Sequence, residues 1–185
     1  MKTRMVKELM IPISEYKTIS ENDILYDAAL ALKATEKEFD LHHGRPKAIV
    51  VREDSSPVGI ISQHELLRAL EPRYEDVGLT GKTTLSGFSV EFLRSMLKAF
   101  KFWDKSLSDI CQKALHLRVK DFVNLPSDGE CVDEEATLDE AVHQLVMGNH
   151  DSLFVMRNNE IIGMLRLVDV FKEVEETIES CKMEE

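Results

Sequence analysis

The sequence has few cysteines and no metal-binding pattern. Cys111, Cys131 and Cys181 are the three cysteines, and they lack the C-x-x-C spacing of a zinc site. An odd number of unpaired cysteines also argues against a disulfide framework. The six histidines have no partner at a metal-ligand spacing such as H-E-x-x-H. We therefore expect reduced thiols, no metal and no required cofactor.

The sequence also lacks an excess of basic residues and a long apolar run. Its 23 Lys and Arg residues are outnumbered by 34 Asp and Glu residues, and the net charge is -11. This balance argues against sequence-independent nucleic-acid binding, which requires basic residues to neutralise phosphates. No apolar run approaches the roughly 20 residues that span a bilayer, and the charged start, Lys2 to Glu8, is unlike a signal peptide. We expect a cytoplasmic protein with no nucleic-acid or membrane partner.

Gly81-Lys82-Thr83 resembles the end of a phosphate-binding P-loop, but the first glycine of that motif is missing. The motif requires Gly, four residues and then Gly-Lys-Ser/Thr, which places Asp76 at the position of the first Gly. Glu75 and Asp76 would also repel a phosphate. Neither a nucleophile with its base nor a paired-carboxylate cleft emerges elsewhere in the sequence. The sequence therefore does not predict an enzyme.

An internal repeat organises the chain. Two pairs of similar segments lie 113 residues apart, and two further pairs lie 104 residues apart. The pairs are 6–10 with 119–123, 19–29 with 132–142, 48–51 with 152–155, and 59–61 with 163–165. Two copies of one unit explain this register, if the first copy carries about nine extra residues near residues 35–45.

Each copy predicts the order strand, helix, strand, strand, helix. The apolar stripe of the first predicted helix recurs at three- and four-residue spacing in both copies: Ile24, Ala28, Ala29 and Leu32; then Leu138, Ala141, Val142 and Leu145. The predicted strands are 17–19, 47–52 and 57–61, then 130–132, 152–157 and 160–165, and the closing helices are 65–70 and 168–174. A unit of about 55 residues buries too little apolar surface alone. We therefore expect an α/β fold of the α+β type, with the two repeats packed as a pseudo-symmetric pair.

The order of elements and two phrases, VGIISQHELLRAL and IIGMLRLVDVFKEV, resemble a tandem pair of CBS domains, the regulatory module named for cystathionine beta-synthase. The resemblance covers residues 4–71 and 117–177, with 72–116 as a linker or helical insert and 178–185 as an acidic tail. It implies a stand-alone Bateman-type module that commonly forms homodimers. It also implies an adenine nucleotide or related ligand between the repeats: AMP, ADP, ATP or S-adenosylmethionine.

The resemblance implies a ligand-binding motif in the first repeat. In the family, Gly-hydrophobic-x-Ser/Thr-x-x-Asp joins the last strand to the last helix, with the hydroxyl and nearby N–H groups on phosphate and the Asp on ribose. Here the motif contains Gly59, Ile61, Ser62 and Glu65, so a longer carboxylate replaces Asp. A helix start offers free N–H donors to an anion. The alternative is a capping box, in which Ser62 and Glu65 satisfy only those donors.

The corresponding motif of the second repeat contains Gly163, Leu165, Arg166 and Asp169. Asp169 matches the family pattern, and Arg166 replaces the hydroxyl. Arg166 could grip a phosphate bidentately and favour a di- or triphosphate. Alternatively, it fills the cleft and pairs with Asp169.

Four further residues fall where the family lines its adenine pocket with the first strand of each repeat. They are Thr18 and Ile19 in the first repeat and Cys131 and Val132 in the second. Their alternative role is simple core packing.

The insert at 72–116 predicts two helices and concentrates aromatic residues. Ser86 or Ser89 is a candidate cap for the first helix, whose apolar face contains Leu93, Met96, Leu97 and Phe100. The second helix follows Asp104-Lys105-Ser106. The aromatic residues, which are Phe88, Phe92, Phe100, Phe102 and Trp103, either pack over the repeats or dock a second subunit or a client protein.

Two functions remain open from the sequence. The first is a regulatory module that binds an adenine nucleotide and signals to a partner in trans, because no effector domain is apparent in the chain. The second is a ligand-free interaction module in which the repeats dimerise and the aromatic insert binds an unknown client.

Overall fold

The computed structural model describes residues 4–42, 49–53, 56–71, 89–101, 106–123 and 125–181. The strands in these ranges are β1 (Ile11–Pro12), β2 (Lys17–Ser20), β3 (Ile49–Glu53), β4 (Ser56–Ile61), β5 (Cys131–Asp133), β6 (Ser152–Arg157) and β7 (Glu160–Arg166). The α-helices are α1 (Leu25–His42), α2 (Gln63–Leu70), α3 (Val90–Phe100), α4 (Leu107–His116), α5 (Leu138–Gly148) and α6 (Leu167–Cys181). The mixed α/β class predicted from the sequence is confirmed.

The repeat is visible in the order of these elements. The first copy runs β2-α1-β3-β4-α2 and the second runs β5-α5-β6-β7-α6. Helix α1 has 18 residues and α5 has 11, so part of the extra length predicted for the first copy lengthens its helix. Both closing helices begin before the predicted residues, at Gln63 and Leu167. Ser62 alone separates α2 from β4, and α6 follows β7 directly.

The predicted apolar stripes face the interior. Ala28 and Leu32 of the predicted stripe are buried on α1, and Leu138, Ala141 and Leu145 are buried on α5. The other predicted positions, Ile24, Ala29 and Val142, are half-buried, and Leu25, which was not predicted, is buried. The stripes recur at helical spacing because one face of each helix is removed from water. The strands β2, β3 and β4 form a three-stranded sheet in that order. Val50, Val51 and Ile61 are fully buried in it.

The chain divides into two compact units that do not coincide with the two repeats. One unit comprises residues 1–18, 50–60 and 124–185, and the other comprises 19–49 and 61–123. The first unit contains a four-stranded sheet of order β1-β7-β6-β5. Strand β6 runs parallel to β5 and antiparallel to β7, which in turn pairs antiparallel with β1.

The start of the chain completes the second repeat within the first unit. The amide of Val6 donates to the carbonyl of Ala136 at 2.9 Å, and Lys7 donates to Glu134 at 3.0 Å. Val6 is fully buried in the core cluster formed by β5, α5, β6, β7 and α6. Leu9 and Met10 pack against the same cluster, so the apolar residues of this segment belong to the core of the first unit.

The segment before the second repeat makes the same contacts in the other unit. The amide of Val119 donates to the carbonyl of Asp23 at 2.9 Å, and Lys120 donates to Glu21 at 2.8 Å. Val119 is fully buried, like Val6. The two repeats therefore exchange their leading segments, which are residues 4–10 and 117–123.

The insert contains the two predicted helices. Ser89, one of the two candidate caps, caps α3 by accepting a hydrogen bond from the Phe92 amide at 3.2 Å. Met96 is buried, whereas the exposed fractions of Phe92, Leu97 and Phe100 are 40–51%. Helix α4 packs against α1 and α2. Phe88, Phe102, Trp103 and Ser86 lie outside the described residues, and the predicted acidic tail at 178–185 is described only as far as residue 181.

Candidate functional site

At the junction between β4 and α2 in the first repeat, the side chains of Ser62 and Glu65 bond to each other and to nearby backbone amides. The Ser62 hydroxyl accepts a hydrogen bond from the His64 amide at 3.1 Å. The Glu65 carboxylate accepts from the Ser62 amide at 2.9 Å and also from the Ser62 hydroxyl. These are the contacts of a capping box, which satisfies donors at the helix start. The capping alternative is therefore formed at this junction.

The junction between β7 and α6 in the second repeat is held by an ion pair. Arg166 donates from Nε to one carboxylate oxygen of Asp169 at 2.5 Å and from Nη2 to the other at 2.6 Å. The exposed fractions of the two side chains are 13% and 23%. A bidentate contact of this kind fixes the plane of the guanidinium as well as its position. Of the two alternatives for Arg166, pairing with Asp169 is formed.

The two junctions differ in charge and in donor supply. The Ser62–Glu65 pair carries one negative charge, whereas Arg166 and Asp169 neutralise each other. Arginine has five N–H donors, and the pair with Asp169 uses only Nε and Nη2, so Nη1 brings two further donors. The second junction therefore provides more hydrogen-bond donors for an anion than the first.

A buried tyrosine lies beside the second junction. Tyr16 follows the 3₁₀ turn Ile13–Glu15, which contacts β7, and only 6% of its surface is exposed. Its hydroxyl is one of two buried side-chain polar atoms without a hydrogen-bond partner among the described residues. An unsatisfied buried hydroxyl costs about 1–3 kcal/mol.

The charges of the ion pair act on this hydroxyl. Burial raises the pKa of Tyr16; the charge of Arg166 lowers that pKa and the charge of Asp169 raises it. The phenol is therefore neutral at physiological pH and retains its proton for donation. Tyr16 has no aromatic counterpart in the second repeat, where Gly129 stands 113 positions later, so the repeat pattern does not indicate it.

Asp169 also borders open space. A cavity of about 280 Å³ is lined by Leu9, Ile11, Asp169, Lys172, Glu173 and Glu176. Glu173 on its wall pairs with Arg4. Asp169 thus has the guanidinium of Arg166 on one side and room for a small polar group on another.

The glycine and aliphatic positions of both motifs are buried. Gly59 is buried, and Ile61 and Leu165 are fully buried. A Cβ atom on Gly163 would lie 2.8 Å from the carbonyl oxygen of Ile11 and 2.9 Å from Met10 Sδ. Gly163 is therefore required by the close approach of β1 to β7.

The residues predicted to line an adenine pocket have mixed environments. Ile19 and Val132 are buried, in agreement with core packing, and Val132 pairs with Val155 across the sheet. Thr18 is exposed and Cys131 is half-buried. Burial raises the pKa of the Cys131 thiol, so it stays protonated. In the described ranges no group of three or more His, Cys, Asp or Glu residues is placed to hold a metal ion.

The comparisons with known proteins match both repeats. The CBS domain family model matches residues 6–72 and 119–176, together more than half of the chain. No curated protein matches the chain in sequence. Within the described part of the chain, no helix combines the length and the apolar character needed to cross a membrane.

Solved structures share the fold at low sequence identity. A hypothetical conserved protein from Geobacillus kaustophilus superimposes with a TM-score of 0.58 at 16% identity, covering 94% of this chain and 98% of that one. The complex of CBSX2 with AMP has a TM-score of 0.57 at 17% identity, covering 93% and 97%; CBSX2 is an Arabidopsis thaliana CBS-pair protein. The CBS domain of a bacterial CNNM/CorC family Mg²⁺ transporter in complex with ATP has a TM-score of 0.54 at 15% identity, covering 94% and 88%.

Proposed function

Because the chain belongs to the CBS domain family, we propose that it is a regulatory module that binds an adenine nucleotide and signals to a partner protein in trans. The observation that carries the proposal is the second junction. Asp169 lies one helical turn from Arg166, at the start of α6, and borders a cavity. A carboxylate can accept from ribose hydroxyls, and an arginine beside a helix start can donate to phosphate.

The structural relatives support an adenine nucleotide as the ligand. AMP is bound in the CBSX2 complex, and ATP is bound in the transporter CBS domain. We propose AMP, ADP, ATP or S-adenosylmethionine for this chain, with no further cofactor and no catalytic step.

We propose a second contact set around the first junction. Ser62 and Glu65 would contact the ligand after giving up some of the hydrogen bonds of their capping box. Gly59 and Ile61 would contribute backbone groups and an apolar wall to the same site. In each repeat the first strand would line a base, through Thr18 and Ile19 in the first and Cys131 and Val132 in the second. Gly163 and Leu165 would support the second junction. These assignments follow the family motif residue by residue.

Homodimerisation and a client protein complete the proposed function, in the cytoplasm. Val168 and Phe171 on α6 expose 62% and 61% of their surfaces. Exposed apolar side chains of this size favour contact with another protein surface. A ligand-dependent change in that contact would carry the signal.

The test is thermal denaturation and calorimetry of the purified protein with each of the four ligands. Heat-denatured samples are first analysed by chromatography for co-purified nucleotide. A ligand that binds only the native state raises the melting temperature with its concentration. Asp169→Asn keeps the size of the side chain and should weaken the shift. The absence of any shift and of any co-purified nucleotide would contradict the proposal.

An alternative function is a ligand-free interaction module. The observation that favours it is the exposure of Phe92, Leu97 and Phe100 on α3. Replacing Phe92 and Phe100 by serine would then abolish dimer or client binding while the far-ultraviolet circular dichroism stays unchanged. Loss of the fold in this variant would instead assign these side chains to packing.

A further inference from the structure

Helix α6 exposes an apolar stripe along one of its faces. Val168, Phe171 and Ile178 expose 60–62% of their surfaces and follow one another at intervals of three and seven residues. Residues at these intervals lie on one face of a helix and match the seam positions of a coiled coil. The remaining seam position, four residues after Phe171, is occupied by Glu175. An apolar helix face of this kind is stabilised when a second helix covers it.

Carboxylates surround the second half of this stripe. Glu175, Glu176 and Glu179 are exposed, and none of them forms an ion pair with a described residue. By contrast, Asp169 and Glu173 in the first half of the helix each pair with an arginine. The negative charge of α6 is therefore compensated near the start of the helix and uncompensated near its end.

The end of α6 also differs from the ends of three other helices. Helices α2, α3 and α4 carry Arg68, Lys98 and Lys113 in their last turns, where a cation interacts favourably with the helix dipole. The last turn of α6 contains Glu179 and no basic residue, and Lys172 is the one basic residue of the helix. Carboxylates at the negative end of a helix dipole are destabilising. A cation supplied by a partner would remove this unfavourable interaction.

A second copy of α6 does not supply such a cation. Two α6 helices packed along this stripe would bring the glutamates of one copy close to those of the other, and like charges across a helix contact are destabilising. In two-stranded coiled coils, the charges beside the seam determine which helices pair. The charge of the stripe thus favours a positively charged partner.

We propose that the stripe formed by Val168, Phe171, Glu175, Ile178 and Glu179 docks a basic amphipathic helix of the client protein. The apolar residues of that helix recur at three- and four-residue spacing and cover the three apolar side chains of the stripe. Its Lys or Arg side chains pair with Glu175 and Glu179. This inference rests on the proposed signalling to a partner in trans, and it assigns α6 to the client rather than to the second subunit.

The test uses two synthetic peptides of 15 residues, the length of α6, with leucine at the seam positions. The other positions are lysine in one peptide and glutamate in the other. Calorimetry with the full chain should show binding of the Leu/Lys peptide alone, with an affinity that decreases as salt is added. A Leu/Lys peptide of the same composition, but without helical spacing of its leucines, should not bind. Equal affinity for the two Leu/Lys peptides would overturn the inference, because the contact would then require no amphipathic helix.

Charge reversal locates the contact. In Glu175→Lys/Glu179→Lys, the affinity for the Leu/Lys peptide should fall about tenfold, and the Leu/Glu peptide should now bind. Glu53→Lys/Glu160→Lys is the matched control, because it changes the net charge equally at two exposed residues outside α6, and it should behave as the wild type does. Phe171→Ser should abolish peptide binding while the circular dichroism stays unchanged. Wild-type affinity for the Leu/Lys peptide in the variant of α6 with reversed charge would contradict the inference.

The outcomes separate this inference from the proposed function. If the chain binds a nucleotide but not the amphipathic Leu/Lys peptide, the docking surface is overturned and nucleotide binding stands. If the peptide binds through Glu175 and Glu179 and no nucleotide binds, the docking surface stands and the regulatory function fails. If Phe171→Ser converts a dimer to a monomer in analytical ultracentrifugation, the stripe is a contact between two copies and the inference is overturned.

Discussion

The two strand-to-helix junctions occupy the same place in the repeat and solve the same local problem differently. At the first, Ser62 and Glu65 bond to each other and to amides at the start of α2. At the second, Arg166 and Asp169 form a bidentate ion pair beside α6. The first arrangement completes a helix cap with short-range contacts and keeps a negative charge. The second joins a strand residue to a helix residue and neutralises its own charge.

This difference teaches that one position in a motif can exchange a hydroxyl for a guanidinium without changing the fold around it. What changes is the contribution of the carboxylate to the free energy of unfolding. Removing Glu65 leaves helix amides near water, whereas removing Asp169 leaves a largely buried cation. Substitutions at the two carboxylates should therefore have unequal effects.

The largest effect is expected for Asp169→Ala. It should lower the free energy of unfolding by about 3 kcal/mol, the lower end of the cost of leaving a buried charge without its partner. Urea denaturation followed by circular dichroism measures this loss. The double variant Arg166→Met/Asp169→Leu should recover most of it, because no charge is then left buried. A double variant as unstable as Asp169→Ala would contradict the ion-pair explanation.

The next effect tests the strand that carries Arg166. Gly163→Ala places a Cβ atom 2.8 Å from the Ile11 carbonyl oxygen and should destabilise the fold by about 1–3 kcal/mol, the cost of overpacking. Thermal denaturation compares it with Gly129→Ala, whose Cβ would meet nothing within 4 Å. Equal stability of the two variants would mean that β1 moves away from β7 at little cost.

A smaller effect is expected at the first junction. Glu65→Ala removes the acceptor of the Ser62 amide and should cost about 1 kcal/mol, the usual weight of a helix cap. Urea denaturation under the conditions used for Asp169→Ala makes the two values comparable. A loss from Glu65→Ala as large as that from Asp169→Ala would show that the junctions are energetically alike.

The smallest expected effect is on the pH dependence of stability, and it involves residues outside the two junctions. In the second repeat, Arg157 donates to both carboxylate oxygens of Glu134, whereas the first repeat has Glu21 and Glu53 at the corresponding positions. The hydrogen bond from Arg157 holds the pKa of Glu134 below its ordinary value of 4.5. A carboxyl whose pKa is lowered by folding stabilises the fold above its unfolded pKa, and this contribution is lost as the pH falls through the folded value.

Arg157→Met should therefore reduce the decrease in melting temperature as the pH is lowered from about 5 through 4.5 and below. Melting curves at intervals across that range measure the slope. Glu53→Gln is a control from the corresponding position of the first repeat. An unchanged slope in Arg157→Met would assign the acid sensitivity to other carboxyls.

The sequence predicted the fold well because its main signal is periodic. Leu138, Ala141 and Leu145 recur at helical spacing for the same reason that they are buried, and the repeat offset placed their counterparts on α1. The choice between pairing and phosphate contact at Arg166 could not be made from sequence, because it depends on where Asp169 points. Tyr16 could not be predicted, because a buried hydroxyl without a partner results from tertiary packing and leaves no periodic pattern in the sequence.

The exchange of leading segments has a consequence for the order in which the protein is made. The amide of Leu25 bonds to the carbonyl of Leu117, so the first repeat cannot close until more than ninety further residues have left the ribosome. Residues 4–10 must meanwhile remain available for the second repeat, which is synthesised after the first. Contacts between such distant segments slow folding and extend the period in which apolar strands are exposed. We expect a truncated chain that ends before Leu117 to be captured by chaperones, and two separately expressed repeats to be stable only when mixed.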